Sequence, residues 1–284
     1  MHQSAQYKIV KLASGVHSVH SLAERETFHP VIGPVAEAEA LYVKQLRLPE
    51  RLAAHTGEFV IWDVGLGAAA NVITVLRATR DSTCPLRVIS FDHTLEPLQF
   101  ALENAEALGY FTDYENAVAQ LLKNHRADFR DGHRQITWEL HLGDFPALLR
   151  TPNSALRTPH GILFDAFSPA KNPAMWTQPL FANLFRHLDP ARPCALPTYS
   201  RSTMLRVSLL LAGFYVGAGH ATGEKEETTI AANTLELITE PLDKKWLLRA
   251  RNSTSAEPIW EPIYRQAPLT KDTWEKLQQH PQFK

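Results

Sequence analysis

The sequence has few cysteines, no long apolar run and no apolar leader. Its two cysteines, Cys84 and Cys194, cannot form the disulfide network that is typical of small secreted domains. Every apolar run is too short to span a bilayer. The first residues, MHQSAQYK, lack the apolar region of a secretory signal. We therefore expect a cytoplasmic protein with no membrane partner.

The sequence also lacks an excess of charge of either sign, because its 29 Lys and Arg residues nearly balance its 30 Asp and Glu residues. The net charge of -1 argues against an acidic disordered chain and against a strongly basic nucleic-acid-binding module, but a local basic patch stays compatible with it. The apolar fraction of 44% is enough for a large buried core. A chain of 284 residues is expected to form one large domain or two small ones.

Short apolar segments alternate with helical patterns through the middle of the chain. This alternation predicts βαβ units and a doubly wound α/β fold with a mostly parallel sheet. Near the end, segments 213–217 and 228–232 flank a polar stretch and predict an antiparallel hairpin, and 234–239 is expected to extend the sheet. The predicted parallel strands are 59–62, 86–91, 136–142 and 161–164.

Gly65 and Gly67 follow the first of these strands, where a helix begins. Backbone N–H groups are free at a helix N-terminus, and glycine lets a ligand approach the backbone closely. The spacing Gly65-x-Gly67-x-x-Ala70 satisfies the dinucleotide fingerprint, so an NAD(P)-dependent Rossmann oxidoreductase is one alternative. A tight strand-to-helix turn without a ligand is another.

Acidic residues at the predicted strand ends favour a different ligand. Asp63 would repel the pyrophosphate of a dinucleotide, whereas S-adenosylmethionine carries a cationic sulfonium and an α-ammonium group. With Asp92, Asp144 and Asp165, four carboxylates are expected at the edge where open α/β sheets bind ligands. We expect Asp92 at the ribose hydroxyls and Asp144 at the adenine amino group. Helix capping is the alternative role for individual residues.

The segment 165–176 reads Asp-Ala-Phe-Ser-Pro-Ala-Lys-Asn-Pro-Ala-Met-Trp and predicts a rigid loop that receives a substrate beside the methyl donor. Trp176 is the tryptophan that we expect outside the core. The segment resembles the methyltransferase domain of the MnmC-like family, whose pattern is approximately Asp-Ala-Phe-x-Pro-x-Lys-x-Pro-x-Met-Trp. The matching residues are Asp165, Ala166, Phe167, Pro169, Lys171, Pro173, Met175 and Trp176.

The resemblance extends over about residues 10–240. The similar segments are Glu26 and His29 with Gly33-Pro34 and Glu37-Ala38, 127–134 leading into Gly143-Asp144, Thr198-Tyr199-Ser200, Arg206, Ala212-Gly213-Phe214, and Gly223 with Lys225. Besides Asp63, which keeps the charge of the family's Glu, two departures from the family bear on the site. Ala69 replaces the third glycine of the usual Glu-x-Gly-Phe-Gly-x-Gly-x-Asn loop, and we expect it to adopt a negative φ as part of a first helical turn. Glu226 stands where the family usually has Arg, near the expected substrate entrance.

The resemblance implies a class I S-adenosylmethionine-dependent methyltransferase that N-methylates an aminomethyl group of a modified wobble uridine. The partner would be tRNA or another amine-bearing acceptor, and a separate flavin oxidase would perform the step that this chain is expected to lack. Asp165 is the predicted catalytic residue. A non-catalytic S-adenosylmethionine-binding protein is a further alternative. The predicted cover segment, methyltransferase domain and C-terminal tail are 1–56, 57–240 and 241–284.

No metal site is expected, because His17, His20 and His29 lack the accompanying ligands of a known metal motif. His29 is instead predicted to line the cofactor pocket, under the N-terminal cover. The predicted cofactor-binding residues are Glu26, His29, Asp63, Gly65, Gly67, Asn71, Asp92, Asp144 and Asp165. The predicted substrate-binding residues are Phe167, Lys171, Trp176 and Tyr199.

Overall fold

The computed structural model describes residues 6–150, 156–223 and 226–284. Two compact units make up this part of the chain, the first within Met1–Asp144 and Ala221–Glu226, the second within Phe145–His220 and Glu227–Lys284. The functional division at residues 56 and 240 stays a prediction. Lys225, one of the residues that resemble the family, lies outside the described residues.

The first unit begins with a small antiparallel sheet in the order β1-β2-β3. A larger sheet follows in the order β4-β5-β7-β6, in which β4, β5 and β7 run parallel and β6 is antiparallel to β7. Its elements are β1 (Tyr7–Lys11), β2 (His17–Ser21), β3 (Glu26–Thr27), α1 (Pro34–Ala38), a π-helical segment (Glu39–Lys44), α2 (Leu48–Ala54), β4 (Phe59–Val64), α3 (Ala70–Ala78), β5 (Leu86–Asp92), α4 (Glu96–Glu103), α5 (Ala105–Leu108), α6 (Glu115–Asn124), β6 (Arg126–Asp131) and β7 (Arg134–Leu142).

The first unit confirms the strands predicted from apolar runs. Every residue of β4 is buried, as expected for a central strand covered on both faces. Strand β6 was not predicted, because Arg126 and Asp128 interrupt its apolar residues and no periodicity marks it. In the structure the two side chains form an ion pair on the strand, and Arg126 also contacts Glu139 of β7. One of the charges that obscure this strand in the sequence, Arg126, therefore adds a side-chain contact to the backbone pairing of β6 with β7.

The second unit contains sheet strands in the order β12-β10-β11-β9-β8, in which β8 and β9 are parallel and the later pairs antiparallel. Its elements are α7 (Phe145–Leu148), β8 (Gly161–Phe164), a 3-10 helix (Pro173–Trp176), α8 (Gln178–Arg186), β9 (Ala195–Thr198), α9 (Thr203–Ala212), β10 (Tyr215–Gly219), β11 (Thr228–Ala232), a 3-10 helix (Leu235–Leu237), β12 (Glu240–Pro241), α10 (Lys244–Arg251), α11 (Lys271–Gln278) and a 3-10 helix (Pro281–Phe283).

The mostly parallel α/β fold and the closing antiparallel hairpin are both confirmed. The expectation that 234–239 extends the sheet is wrong, because a 3-10 turn forms there and the added strand is β12. The C-terminal segment packs on β10 through the side-chain amide of Gln282. Its Oε1 accepts from the backbone N–H of Val216 at 2.8 Å, and its Nε2 donates to the Val216 carbonyl at 2.7 Å. Among the described residues, no helix combines the length and hydropathy needed to cross a bilayer.

Candidate active site

The loop between β4 and α3 has an unusual backbone. Gly65, Gly67 and Ala69 have φ angles of 95°, 50° and 60°. Glycine adopts such angles without strain, but a left-handed conformation costs an alanine about 1–2 kcal/mol. The expectation of a negative φ at Ala69 is therefore wrong. Ala69 precedes α3 as its N-cap residue, so it keeps the glycine-like turn of the family rather than joining the helix.

The N-terminal segment covers this loop through Phe28. A Cβ atom added to Gly67 would lie 3.1 Å from Cε2 of the Phe28 ring. Gly67 therefore needs both its positive φ and its missing side chain. Phe28 is held by its backbone N–H, which donates to the Val19 carbonyl at 2.8 Å. Sequence reasoning assigned no role to Phe28, although it lies beside His29 in the segment that resembles the family.

Asp92 ends β5 and fastens the glycine loop. Its Oδ2 accepts from the backbone N–H of Gly67 at 2.9 Å, and its Oδ1 accepts from those of His93 and Thr94 at 2.7 and 3.3 Å. A carboxylate offers about four lone-pair sites, so Oδ2 keeps capacity for one more donor, such as a ribose hydroxyl. The half-buried Asp92 thus combines two tasks, holding the loop and presenting an acceptor.

Two residues beside Asp92 were not predicted. The hydrogen bond with the Asp92 carboxylate raises the pKa of the His93 imidazole, although desolvation opposes that shift. Burial is the largest cause that raises the pKa of the Tyr7 phenol, and together with the charges of Glu96, Asp92 and Glu24 it brings this pKa to about 12. Both residues belong to the surroundings of Asp92. No motif marks either of them in the sequence, because their positions follow from tertiary packing.

Asp63 lies near the carboxyl end of β4, and its side chain is buried. It is the penultimate residue of β4 and is fully buried. The Ser90 hydroxyl donates to Asp63 Oδ2 at 2.7 Å, and the Trp138 indole donates to the Ser90 oxygen at 2.9 Å. These two hydrogen bonds link side chains of β7, β5 and β4 in a row and orient the Asp63 carboxylate. The carboxylate of Asp63 is thus buried at the carboxyl end of β4, and its role toward the cofactor stays a prediction.

The other predicted cofactor residues occupy different surroundings. His29 has a φ of 49° and its Nδ1 lies 3.7 Å from Oε1 of the buried Glu37. Asn71 is buried in the first turn of α3, and Glu26 is half-buried in β3. Asp144 is exposed, two residues after β7. Of the predicted cofactor residues, Gly67 and Asp92 are therefore brought together, with Phe28 beside Gly67. His29 lies next to Glu37 instead.

In the second unit, Asp165 directly follows β8 and opens a braced loop. The Tyr199 hydroxyl donates to the Ala166 carbonyl at 3.0 Å, and the Trp176 indole donates to the Phe167 carbonyl at 2.7 Å. The rings of Trp176 and Tyr199 meet edge to face with centroids 5.8 Å apart. Three of the residues predicted from the sequence therefore form one cluster behind the half-buried Asp165.

Trp176 is not outside the core, contrary to expectation. Its side chain is 2% exposed and packs edge to face on the ring of Phe164 at 5.3 Å. Its position as the last residue of the 3-10 helix lets it support the loop from the core side. Phe167 is half-buried, and Lys171 is exposed. Among the described residues, no group of three His, Cys, Asp or Glu side chains is arranged to hold a metal ion.

Residues 105–234, which include Asp144, Asp165 and Tyr199, match a family model described as S-adenosyl-L-methionine-dependent methyltransferase. The tRNA 5-methylaminomethyl-2-thiouridine biosynthesis bifunctional protein MnmC of Aeromonas hydrophila is 32% identical over 207 residues, which cover 68% of this chain and 30% of that protein. The protein of the same name from Methylibium petroleiphilum is 28% identical over 82% of this chain and 35% of its own length. The chain thus spans about a third of the length of these relatives.

The crystal structure of MNMC2 from Aquifex aeolicus has the same fold. It matches with a TM-score of 0.71 and 21% identity over 97% of this chain and 84% of that one. The matching family model names S-adenosyl-L-methionine, which decides the cofactor against the nicotinamide alternative. The family model, the relatives and the fold together identify an MnmC-like S-adenosyl-L-methionine-dependent methyltransferase domain in this chain.

Proposed function

We propose that this chain N-methylates an aminomethyl group on a modified wobble uridine of tRNA. The observation that carries the proposal is the braced loop at Asp165, which opens with a carboxylate directly after a buried strand. Relatives at about 30% identity are named for the biosynthesis of 5-methylaminomethyl-2-thiouridine in tRNA. A methylaminomethyl product requires an amine as the methyl acceptor, and a carboxylate is suited to hold an ammonium group.

The glycine loop and Asp92 fit the cofactor. Gly65 and Gly67 form a tight turn with positive φ angles, and Asp92 at this turn offers an acceptor of the kind that ribose hydroxyls need. When bound, S-adenosyl-L-methionine supplies an electrophilic methyl group on its sulfonium. We assign the ribose to Asp92, the α-ammonium to Asp63 and the adenine amino group to Asp144. Further contacts are proposed for Glu26, His29 and Asn71.

Asp165 would prepare the acceptor. An alkyl amine has a pKa of ~10, like that of lysine, and is mostly protonated at neutral pH. It must lose a proton to expose the lone pair that attacks the methyl group. In the proposal, the Asp165 carboxylate holds the ammonium, accepts or relays its proton and orients the nitrogen. Correct positioning supplies much of the rate of such a displacement, which explains the use of a stiff loop.

Phe167 and Lys171 are proposed to contact the acceptor, since they lie on the same loop. Trp176 and Tyr199 would act on it indirectly, by holding the loop backbone. A separate flavin oxidase is the proposed partner that exposes the amine. The relatives are bifunctional proteins, and this chain spans about a third of their length. We therefore assign the second activity to a separate partner.

The test combines cofactor binding with a single methylation turnover. Calorimetry should detect micromolar binding of S-adenosyl-L-methionine or its homocysteine product and no comparable binding of NAD. The purified chain should then methylate tRNA isolated from cells that lack this modification step, with one methyl group added to the wobble nucleoside by mass spectrometry. An unmodified transcript of the same tRNA is the control, because it contains no amine at that position. Cofactor binding without methylation of any tRNA would support the non-catalytic alternative.

A further inference from the structure

Helix α10 presents a strongly basic face. The sequence KKWLLRAR packs through Trp246, Leu247 and Ala250, which are buried. Its exposed side carries four positively charged residues, and no acidic residue follows between Arg251 and Ala256. The charges stand out because the whole chain has a net charge of -1. We call this set the basic helix face, and it consists of Lys244, Lys245, Arg249 and Arg251.

Helix stability does not explain the face. Lys244 and Lys245 occupy the first two positions of α10, after the N-cap Asp243, whose carboxylate accepts from the Trp246 N–H at 2.7 Å. The partial positive charge of a helix N-terminus disfavours cations there. Arg249 and Arg251 lie in the last turn, where the helix dipole favours them. The helix dipole therefore does not account for the two lysines.

The basic helix face lies close to two further arginines of the same unit. Arg206 of α9 is buried and donates to the Thr229 hydroxyl at 3.0 Å and to Glu227 Oε1 at 3.1 Å. Burial lowers the pKa of its guanidinium against the effect of Glu227, and the charges of Arg249 and Arg201 lower it further. Arg249 of the basic helix face and Arg201 are thus among the charges that act on Arg206.

Arg201 connects this cluster to the Asp165 loop. It is exposed and lies two residues after Tyr199, whose hydroxyl is bonded to the carbonyl of Ala166. Arg201 thus places an exposed positive charge on the segment that braces the Asp165 loop. The nearby carboxylate of Glu227 already pairs with Arg206, so it does not neutralise the exposed arginines.

Building on the proposed function, we propose that the basic helix face and Arg201 bind the phosphate backbone of the RNA acceptor. Lysine and arginine contacts to phosphates position a nucleic acid without reading its sequence. A substrate that must bring one nucleoside to Asp165 needs such a positioning surface beside the loop.

The test measures RNA binding by fluorescence anisotropy over a salt series, with an in vitro tRNA transcript as the probe. The variant Lys245→Ala with Arg249→Ala should bind about 10-fold or more weakly at 0.1 M salt, and its salt slope should fall by about 1.4–1.8, since each lost phosphate contact removes about 0.7–0.9. The matched control is Lys123→Ala with Arg130→Ala, which removes two exposed charges from α6 and β6. The control should leave both quantities unchanged.

Two further measurements separate this proposal from the proposed function. Calorimetric affinity for S-adenosyl-L-methionine and the methylation rate of the free 5-aminomethyl nucleoside should be the same in the variant and the wild type. Wild-type methylation of tRNA with equal RNA affinity in both double variants would overturn the basic surface alone. Methylation of the free nucleoside with no tRNA binding would overturn both the RNA acceptor and the surface. Tighter binding of α10 to anionic vesicles than to tRNA would assign the helix to a membrane surface instead.

Discussion

The glycine loop after β4 and the Asp165 loop after β8 both follow the end of a buried strand, but different groups hold them. The glycine loop depends on its own backbone, with positive φ angles at Gly65 and Gly67 and one carboxylate that accepts from Gly67. The Asp165 loop is supported from behind by two side chains, which donate to consecutive carbonyls at 3.0 and 2.7 Å. One loop is shaped by its own backbone, and the other is stiffened around a single carboxylate.

The difference matches the tasks proposed for the two loops. The turn that is proposed to hold the cofactor needs glycine, because glycine adopts a positive φ without strain. A proton acceptor needs a fixed position, because small errors in geometry cost large factors in rate. Substitutions in the first loop should therefore change affinity, and substitutions in the second should change the rate.

The largest effect is expected for Asp165→Asn. If this carboxylate manages the amine proton, the methylation rate should fall by about 10²–10⁴, the usual contribution of a positioned acid–base group. The fold and most of the cofactor affinity should persist, because asparagine has nearly the same shape. Single-turnover rates and calorimetry on the same preparation check both parts. The defect should shrink at high pH, where more of the amine is already neutral.

The pH profile is what distinguishes the proton-handling role. A profile parallel to that of the wild type, or a loss confined to cofactor affinity, would move Asp165 into the binding residues. The assay requires an acceptor that the wild type methylates, and Glu226 is the reason to compare several tRNAs, since the family usually has Arg at that position.

Asp92→Ala should have the next largest effect, on affinity. The substitution removes an acceptor for the ribose and the anchor of Gly67, so the binding of S-adenosyl-L-methionine should weaken by about 1.5–3 kcal/mol, the range for hydrogen bonds to charged groups. Titration calorimetry measures it directly. The control is His93→Ala, which keeps the carboxylate and the backbone N–H groups and should change affinity little. Unchanged affinity in the Asp92 variant would remove this residue from the cofactor site.

Tyr199→Phe tests the brace of the second loop. It deletes one hydrogen bond of about 0.5–1.5 kcal/mol but keeps the ring that packs on Trp176. We expect the rate of methyl transfer to fall by up to about 10-fold, since 1.4 kcal/mol corresponds to a factor of ten. Cofactor affinity should stay the same. A change in affinity with an unchanged rate would contradict the separation of tasks between the loops.

Ala69→Gly should have the smallest effect, and it should be a gain in stability, whereas the other substitutions should cause losses of rate or affinity. Glycine relieves a left-handed strain of about 1–2 kcal/mol but adds about 0.4–1 kcal/mol of unfolded-state entropy. The free energy of unfolding should therefore rise by roughly 0.5–1 kcal/mol, measured by urea denaturation. Ala70→Gly is the matched control, because Ala70 is helical and the same change should destabilise it. A loss of stability at Ala69 would show that its methyl group packs favourably despite the φ angle.

The sequence alone determined the fold class, the main strands and the identity of the domain. Apolar runs at 59–62, 86–91 and 161–164 become strands because central strands of a parallel sheet are buried on both faces. The Asp165 segment could be singled out because its family pattern is contiguous in the chain. The cofactor class followed from the glycine spacing, the preceding acid and the same resemblance.

Tertiary structure decided what contacts these residues make. The ring of Phe28 over Gly67 and the buried chain from Trp138 to Asp63 join residues far apart in sequence, which no local pattern encodes. The positive φ of Ala69 was also not predictable, because alanine intrinsically prefers negative φ and only the surrounding fold holds it in the left-handed region. Local propensity and burial thus determined the elements, and the packing between them determined the geometry of the two loops.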